Sequence, residues 1–330
     1  MTVPTNTDQT YTQVNIREDL GNLIHNVDPY EVPILSMAKR GKAEQTYHEW
    51  NVDVLAAQNT SNIQIEGDDA TADVTNPTGR LGNYTQISRK VIQLSDTLQA
   101  VRAAGATNRM GYQIAKAAKA LRKDMEGSLT KNAARSAGSS STGRVLGGLP
   151  SWLVTNTVFQ TGGTPSGANP TGTITVGTST FGNGTTGRTY NSVTSAVTEA
   201  EFKTAAQDIF TNSGKMTPYA ICSPKNKGII STFTGPGTRF TQVEDKKLSA
   251  AVDVYQTDFG DVKIVPDIFL AQSGDIYFVD PDFLRIAYLR PYSIKPLAET
   301  GDSTRKMLRV EYTLEVANEH ALGAIFDSTG

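Results

Sequence analysis

Cysteine is nearly missing from this sequence: Cys222 stands alone among 330 residues. One thiol excludes an internal disulfide and a cysteine-built zinc site, and this usage fits a reducing compartment. Its simplest reading is a small, half-buried residue. Histidine is almost as scarce, with His25, His48 and His320 scattered along the chain. "HEW" at His48 lacks the second histidine of a zincin helix. Long apolar runs are missing too, since no window approaches the ~18 to 20 residues that a bilayer-spanning helix needs. The opening "MTVPTNTDQTYTQVNIREDL" has neither a basic n-region nor an apolar h-region, so a soluble protein without a membrane partner is expected.

An excess of one charge sign is absent as well. Thirty-one basic and 33 acidic residues leave a net charge of -2. A surface built to grip nucleic acid through its phosphates would be strongly basic, so any DNA contact is local or indirect. What is abundant is Gly, at 29 residues, together with Thr and Ser, while hydrophobic residues make up only 38%. The length allows two or three compact units, and the composition points to a loop-rich α+β protein.

Along the chain, residues 1–15 read as a polar arm. In "NIREDLGNLIHNV" the apolar Ile16, Leu20, Leu23, Ile24 and Val27 recur at helical spacing, and Asp28-Pro29 stops the helix. "VPILSMAKRG" adds a small apolar patch. "QTYHEWNVDVL" then alternates, with His48, Trp50, Val52 and Val54 on one face. "NYTQISRKVIQLSDT" alternates in the same way, with Ile87 and Val91 on one face and Tyr84, Ile92 and Leu94 on the other. The two are expected to pair as an extended hairpin with a long polar tip. Such a ribbon buries too little to stand alone.

Residues 107–137 carry the longest helical signal, with Met110, Ile114, Ala118, Leu121, Met125 and Leu129 as its stripe. Thirty residues span roughly 45 Å. Its other faces hold Arg109, Lys116, Lys119, Arg122, Lys123, Lys131 and Arg135 against Asp124 and Glu126. From 155 to 192 the chain is mostly Thr, Gly, Ser, Asn and Pro, read as an insertion loop with a short strand at "TITV". "TEAEFKTAAQDIFTNSG" predicts a helix capped by Thr198, with Glu201 completing a capping box and Gly214 past its end. "YAICS" reads as a buried strand, "PKNKGIISTF" as a helix begun by Pro224, and "VDVYQTDFGDVKIVPDIFL" as a hairpin. A long hairpin with "ETGDSTR" as its turn ends the chain.

Chemistry-bearing motifs are weak. "IEGDDATAD" at 65–73 gathers Glu66, Asp68, Asp69 and Asp73, but its spacing is not that of a calcium loop. "GNGTTG" at Gly182, Gly184 and Gly187 fits G-x-G-x-x-G formally, yet sits in the Gly/Thr stretch instead of between a strand and a helix. No phosphate-binding G-x-x-x-x-G-K-[ST] and no G-x-S-x-G elbow occurs. A Cys222–His320 pair has no local support. No catalytic residue, metal or cofactor is therefore assigned, and an enzyme is not expected.

The order of parts, with "YHEW" (47–50), "EGDDAT" (66–71), "RLGNYTQI" (80–87), "AAVDVYQTDFG" (250–260) and "AYLRP" (287–291), resembles the major capsid proteins of tailed bacteriophages, which share the Hong Kong 97-like fold with herpesviruses. The resemblance implies an α+β fold with an N-arm at 1–40 and an E-loop at 41–97 that reaches over a neighbouring subunit. It implies a P-domain with its spine helix at 98–150, the insertion at 151–192, an A-domain at 193–283, and the P-domain hairpin with the C-terminus at 284–330. It further implies self-assembly as hexamers and pentamers into an icosahedral head around double-stranded DNA, with a portal protein, and scaffolding and decoration proteins, as further partners. The alternative within the fold is a nanocompartment enclosing protein cargo. The expected location is the virion, after assembly in the host bacterial cytoplasm. The family's type member crosslinks an E-loop lysine to a neighbour, but no lysine lies between Lys42 and Lys90 here, so that crosslink is not expected.

Charge gives an independent expectation. Between 43 and 79 the chain holds Glu44, Glu49, Asp53, Glu66, Asp68, Asp69 and Asp73 and no Lys or Arg. Glu66, Asp68, Asp69 and Asp73 on the tip, and Lys116, Lys119, Arg122 and Lys123 on the helix, are therefore the candidate inter-subunit contacts.

Overall fold

The computed structural model describes residues 31–69, 77–101, 108–160, 166–192, 194–233, 254–270, 274–299 and 301–328. The expected arm at 1–15 and helix at 16–27 lie outside the described residues. In chain order the helices are α1 (Pro33–Met37), α2 (Asp96–Ala100), α3 (Arg109–Thr130), α4 (Glu199–Ser213) and α5 (Pro224–Ile230). The first strands are β1 (Lys39–Lys42), β2 (Tyr47–Val52), β3 (Gly79–Tyr84), β4 (Gln86–Ser95), β5 (Thr157–Phe159), β6 (Thr173–Val176) and β7 (Ser179–Gly182). They are followed by β8 (Tyr219–Cys222), β9 (Val254–Thr257), β10 (Gly260–Pro266), β11 (Ile276–Val279), β12 (Leu284–Pro296), β13 (Ser303–Val316) and β14 (Gly323–Phe326).

The terminal hairpin forms as the sequence predicts. β12 and β13 pair from Leu284↔Val316 to Pro296↔Lys306, with bulges near Arg290. In β13 every second residue from Leu308 to Val316 is apolar and buried, and these face the core that contains Leu121, Met125 and Leu129 of α3. Burying side chains of this size contributes about 1.5–3 kcal/mol each. β1 and β4 complete a four-stranded sheet in the order β1-β12-β13-β4.

The expected ribbon partner is corrected here. "NYTQISRKVIQLSDT" is not one strand: β3 pairs with β2, whereas β4 pairs with β13 from Gln86↔Tyr312 to Ser95↔Ser303. Two buried polar side chains fix the switch. Asn83 donates to the carbonyls of Gly147 (3.2 Å) and Leu314 (2.9 Å), and Thr85 donates to Glu311 (2.9 Å). The ribbon is therefore β2 and β3 alone.

The spine helix is also shorter than expected. α3 is capped by Asn108, whose side chain accepts the Gly111 N–H at 2.8 Å, and it ends at Thr130. Its 22 residues rise about 33 Å. Beyond it, tertiary bonds draw the chain away: Asn132 pairs with the backbone N–H and carbonyl of Arg188, and Arg135 donates to the Gly82 carbonyl. Gly148 presses so closely on Lys131 that a Cβ there would lie 1.9 Å from its carbonyl oxygen.

A second sheet runs β5-β14-β11-β8-β10-β9. Its central strands read "YAIC", "IYFV" and "GAIF", apolar on both faces because both faces are covered. Ile221, Tyr277, Ala324 and Phe326 enter the core shared with α3, while Ala220, Cys222, Phe278 and Ile325 meet Phe202, Ala205 and Ile209 of α4. α4 has the predicted capping box and ends at Gly214, whose φ of +70° is the left-handed region that glycine adopts freely.

Residues 155–192 are not a bare loop. They give β5 to this sheet, pair β6 with β7, and bury Arg188 between Asp275 and Asp327, each at 2.7 Å. The guanidinium also lies 4.3 Å from the centre of the Phe326 ring and 4.2 Å from that of Tyr190. Arg188 is the one charged residue in the sequence from 145 to 198.

Candidate inter-subunit surfaces

The ribbon is rooted in the core and bare at its end. Trp50 packs on Trp152 at 5.3 Å between ring centres, Tyr47 on Tyr84 at 4.7 Å, and His48 pairs with Glu315 at 3.1 Å. Glu49 bonds Arg80 across the strands at 3.2 Å. Val52 and Leu81 are the last buried apolar pair. Beyond them every described residue from 55 to 69 is exposed, including Leu55 (93%), Ile63 (83%) and Ile65 (80%).

At the tip a turn brings the Asp68 N–H to the Ile65 carbonyl at 3.1 Å, with Gly67 at a φ of +87° that other residues rarely adopt. Glu66, Asp68 and Asp69 are exposed there, and among the described residues no cation pairs with them. Asp73 lies outside the described residues. Three aliphatic side chains and three carboxylates thus share one uncovered end. Sequence reading missed the aliphatics, although Ile63 and Ile65 repeat at strand spacing within a polar stretch.

The four basic candidates on α3 lie within one arc of the helix. Lys116, Lys119 and Lys123 follow one another at spacings of three and four, so they form a ridge. Lys116 and Lys119 are exposed and Lys123 is half-buried. Arg122, three residues after Lys119 and four after Ala118, is exposed at the edge of that ridge. Of the acids on this helix, Asp124 bonds Lys90 of β4 at 2.5 Å, and Glu126 is wholly buried.

Ala118 and Arg122 line a groove of about 520 Å³ between α1 and α3, with Leu35, Arg40, Tyr288, Pro291, Tyr292 and Leu308 as its other walls. The Tyr288 and Tyr292 rings stand 6.1 Å apart, and the Tyr292 hydroxyl donates to the Met125 sulfur at 2.9 Å. Burial, followed by the neighbouring Tyr288, pushes the Tyr292 phenol up to about 12.

The remaining chemical candidates have packing roles. Cys222 is fully buried, and desolvation pushes its thiol up to about 12, so it is a poor nucleophile at neutral pH. His320 lies against Phe181 at 4.7 Å with Nε2 3.3 Å from the Thr180 carbonyl. Two glycines of "GNGTTG" let the backbone wrap Trp152: a Cβ on Gly182 would lie 2.2 Å from the Trp152 carbonyl oxygen, and one on Gly184 2.6 Å from its ring. Among the described residues no three His, Cys, Asp or Glu side chains gather in a way that could hold a metal ion, and no helix is long and apolar enough to cross a membrane.

The family described as SU10 major capsid protein matches residues 3–329. The major capsid protein of Escherichia phage Phieco32 is 32% identical over 125 residues, which take in 38% of this chain and 36% of that relative. Among solved structures, the fold is similar to a chain of the cyanophage A-1(L) capsid, with a TM-score of 0.63 and 14% identity over 98% of this chain and 100% of that one. It is also similar to the capsid structure of cyanophage P-SCSP1u, with a TM-score of 0.58 and 11% identity over 99% and 97% of the two chains. At these identities the likeness is one of fold.

Proposed function

The chain belongs to the SU10 major capsid protein family, a class of structural shell proteins, and we propose that its copies assemble as hexamers and pentamers into an icosahedral phage head. The shell encloses double-stranded DNA without a specific grip on it, consistent with a net charge of -2. One vertex takes a portal protein, and scaffolding and decoration proteins are further partners. Assembly takes place in the cytoplasm of the host bacterium, and the protein resides in the virion without catalytic duty. The related capsids are phage particles, which favours a genome over enzyme cargo as the content.

The observation that carries this reading is the bare end of the ribbon. Leu55, Ile63 and Ile65, largely exposed beside Glu66, Asp68 and Asp69, make a surface that an isolated subunit leaves in water. In a shell the tip lies on a neighbouring copy, where its carboxylates meet basic groups such as the ridge of Lys116, Lys119 and Lys123. Each exposed ion pair contributes only about 0.2–1 kcal/mol. Aliphatic burial adds to that, and a closed shell repeats the contact at every subunit. The reaching element is the ribbon between Tyr47 and Tyr84, since β4 belongs to the terminal sheet.

Electron microscopy of the purified protein, alone and with its scaffolding partner, tests the assembly. Closed particles that hold nuclease-protected DNA when recovered from infected cells are expected. A persistently monomeric chain contradicts the shell, and particles filled with protein cargo contradict the phage-head reading.

A further inference from the structure

One face of the terminal sheet packs on α3 through Leu308, Val310 and Tyr312, and the other faces away from that helix. On the outward face Arg309 of β13 stands directly opposite Arg89 of β4, with Ser293 of β12 on its other side. Like charges directly opposite each other destabilise a sheet, so this pair calls for an anion. The next row places Met307 between Val91 and Lys295, and the row beyond it sets Arg305 beside Gln93. Ile87 and Val91, which flank Arg89 on β4, are 49% and 52% exposed.

The acids that β13 presents on this face are already engaged. Glu311 is buried against Thr85, Arg144 and Arg290, and Glu315 meets His48 and Arg285. Asp96 of α2 and Glu299 and Asp302 of the β12–β13 turn lie past its far end. Among the described residues no carboxylate forms an ion pair with Arg89, Arg305, Arg309 or Lys295, and the Arg305 Nε is buried without a hydrogen-bond partner. The complement of this face is therefore an aliphatic surface with carboxylates beside it. The bare end of the ribbon has that make-up, with Leu55, Ile63 and Ile65 beside Glu66, Asp68 and Asp69. Within one subunit the two do not cover each other: every described residue from 55 to 69 is exposed, and so are Ile87, Arg89 and Val91. The end that fits is a second copy's.

We propose that the outward face around Arg89 and Arg309 is the seat for the ribbon tip of a second copy, with Ile63 and Ile65 against Ile87, Val91 and Met307, and Asp68 and Asp69 at the two arginines. The seat deepens the shell reading and rests on it. The ridge of Lys116, Lys119 and Lys123 belongs to α3, on the other side of the sheet, so a tip on the ridge and a tip on the sheet are distinguishable arrangements. The sheet is favoured because it offers exposed aliphatics and guanidiniums without carboxylate partners on one surface. Opposed potentials across such a contact fix its register as well as its strength.

The test is a disulfide trap in closed particles of the full-length chain. Each copy gives one tip and receives another, so Ile65→Cys with Val91→Cys should yield, on mild oxidation, a ladder of linked chains on a non-reducing gel and a mapped link between residues 65 and 91. Ile65→Cys with Lys119→Cys should yield none. The buried Cys222 thiol stays out of the exchange. A link to residue 119, or closed particles with no link to residue 91, overturns the seat and leaves the shell standing, whereas a parent chain that never leaves the monomer overturns the shell itself. Charge exchange supplies a second measurement. Arg89→Glu with Arg309→Glu should lower the yield of closed particles about tenfold, and adding Asp68→Lys with Asp69→Lys should restore most of it. A quadruple variant no better than the arginine pair alone also overturns the seat.

Discussion

Glu126 of the spine helix accepts the backbone N–H of Ile34 at 2.7 Å, across 92 residues of sequence, and its second oxygen takes the Leu35 N–H at 2.8 Å. This carboxylate satisfies two N–H groups in the first turn of α1 and fixes that helix to α3. Glu126→Ala leaves both buried donors unpaired, at a cost of about 1–3 kcal/mol each. Urea unfolding should show a loss in that range. A change below about 0.5 kcal/mol, the level of ordinary surface substitutions, would refute the tie.

The same residue makes stability depend on pH. Burial, opposed by the two N–H bonds, raises Glu126 from its ordinary 4.5 to about 7. The folded state therefore holds this proton more tightly than the unfolded chain does. The resulting stability is fully present below 4.5 and is lost as pH rises through about 7. Burial raises Asp267 to about 6 and Glu319 to about 8, with the same sign. Melting temperatures between pH 4.5 and 7 should fall less steeply in Glu126→Gln than in the parent. Parallel slopes would contradict this assignment.

A third prediction concerns Arg188. It is wholly buried, and its removal strands Asp275, which also accepts the Tyr277 hydroxyl at 2.9 Å, and Asp327. Breaking such a group from one side costs about 3–5 kcal/mol. Arg188→Met should lose that much, and adding Asp275→Asn with Asp327→Asn should restore part of it. A loss below 1 kcal/mol, or no recovery, would show that the three act separately.

Local signals were legible where one element satisfied itself. Thr198, Glu201 and Gly214 bracketed α4 in the sequence as they do in the fold, and "ETGDSTR" marked the turn region between β12 and β13. Signals failed where a distant partner decided. Nothing beside Thr85 announced that Glu311 would end one pairing and begin another, and nothing beside Thr130 announced that Asn132 would turn toward Arg188. The Gly/Thr stretch concealed its role because the reason for Gly182 and Gly184 is the bulk of Trp152. Its lone charge, Arg188, was the readable clue, since an isolated arginine among uncharged residues needs a partner elsewhere.

At the candidate site, the acids were legible and their setting was not. Glu66, Asp68 and Asp69 stand exposed as the charge pattern suggested, but Leu55, Ile63 and Ile65 turn the tip into a mixed surface. The basic set shares one arc of α3, with Arg122 at its edge beside Ala118.

The central claim, that subunits join through this tip, is tested most directly by the particle yield of Asp68→Lys with Asp69→Lys, read by sedimentation and electron microscopy beside the parent. The account predicts at least a tenfold fall in closed particles, with the melting temperature of the unassembled subunit unchanged. A full yield of closed shells from the double variant would contradict it.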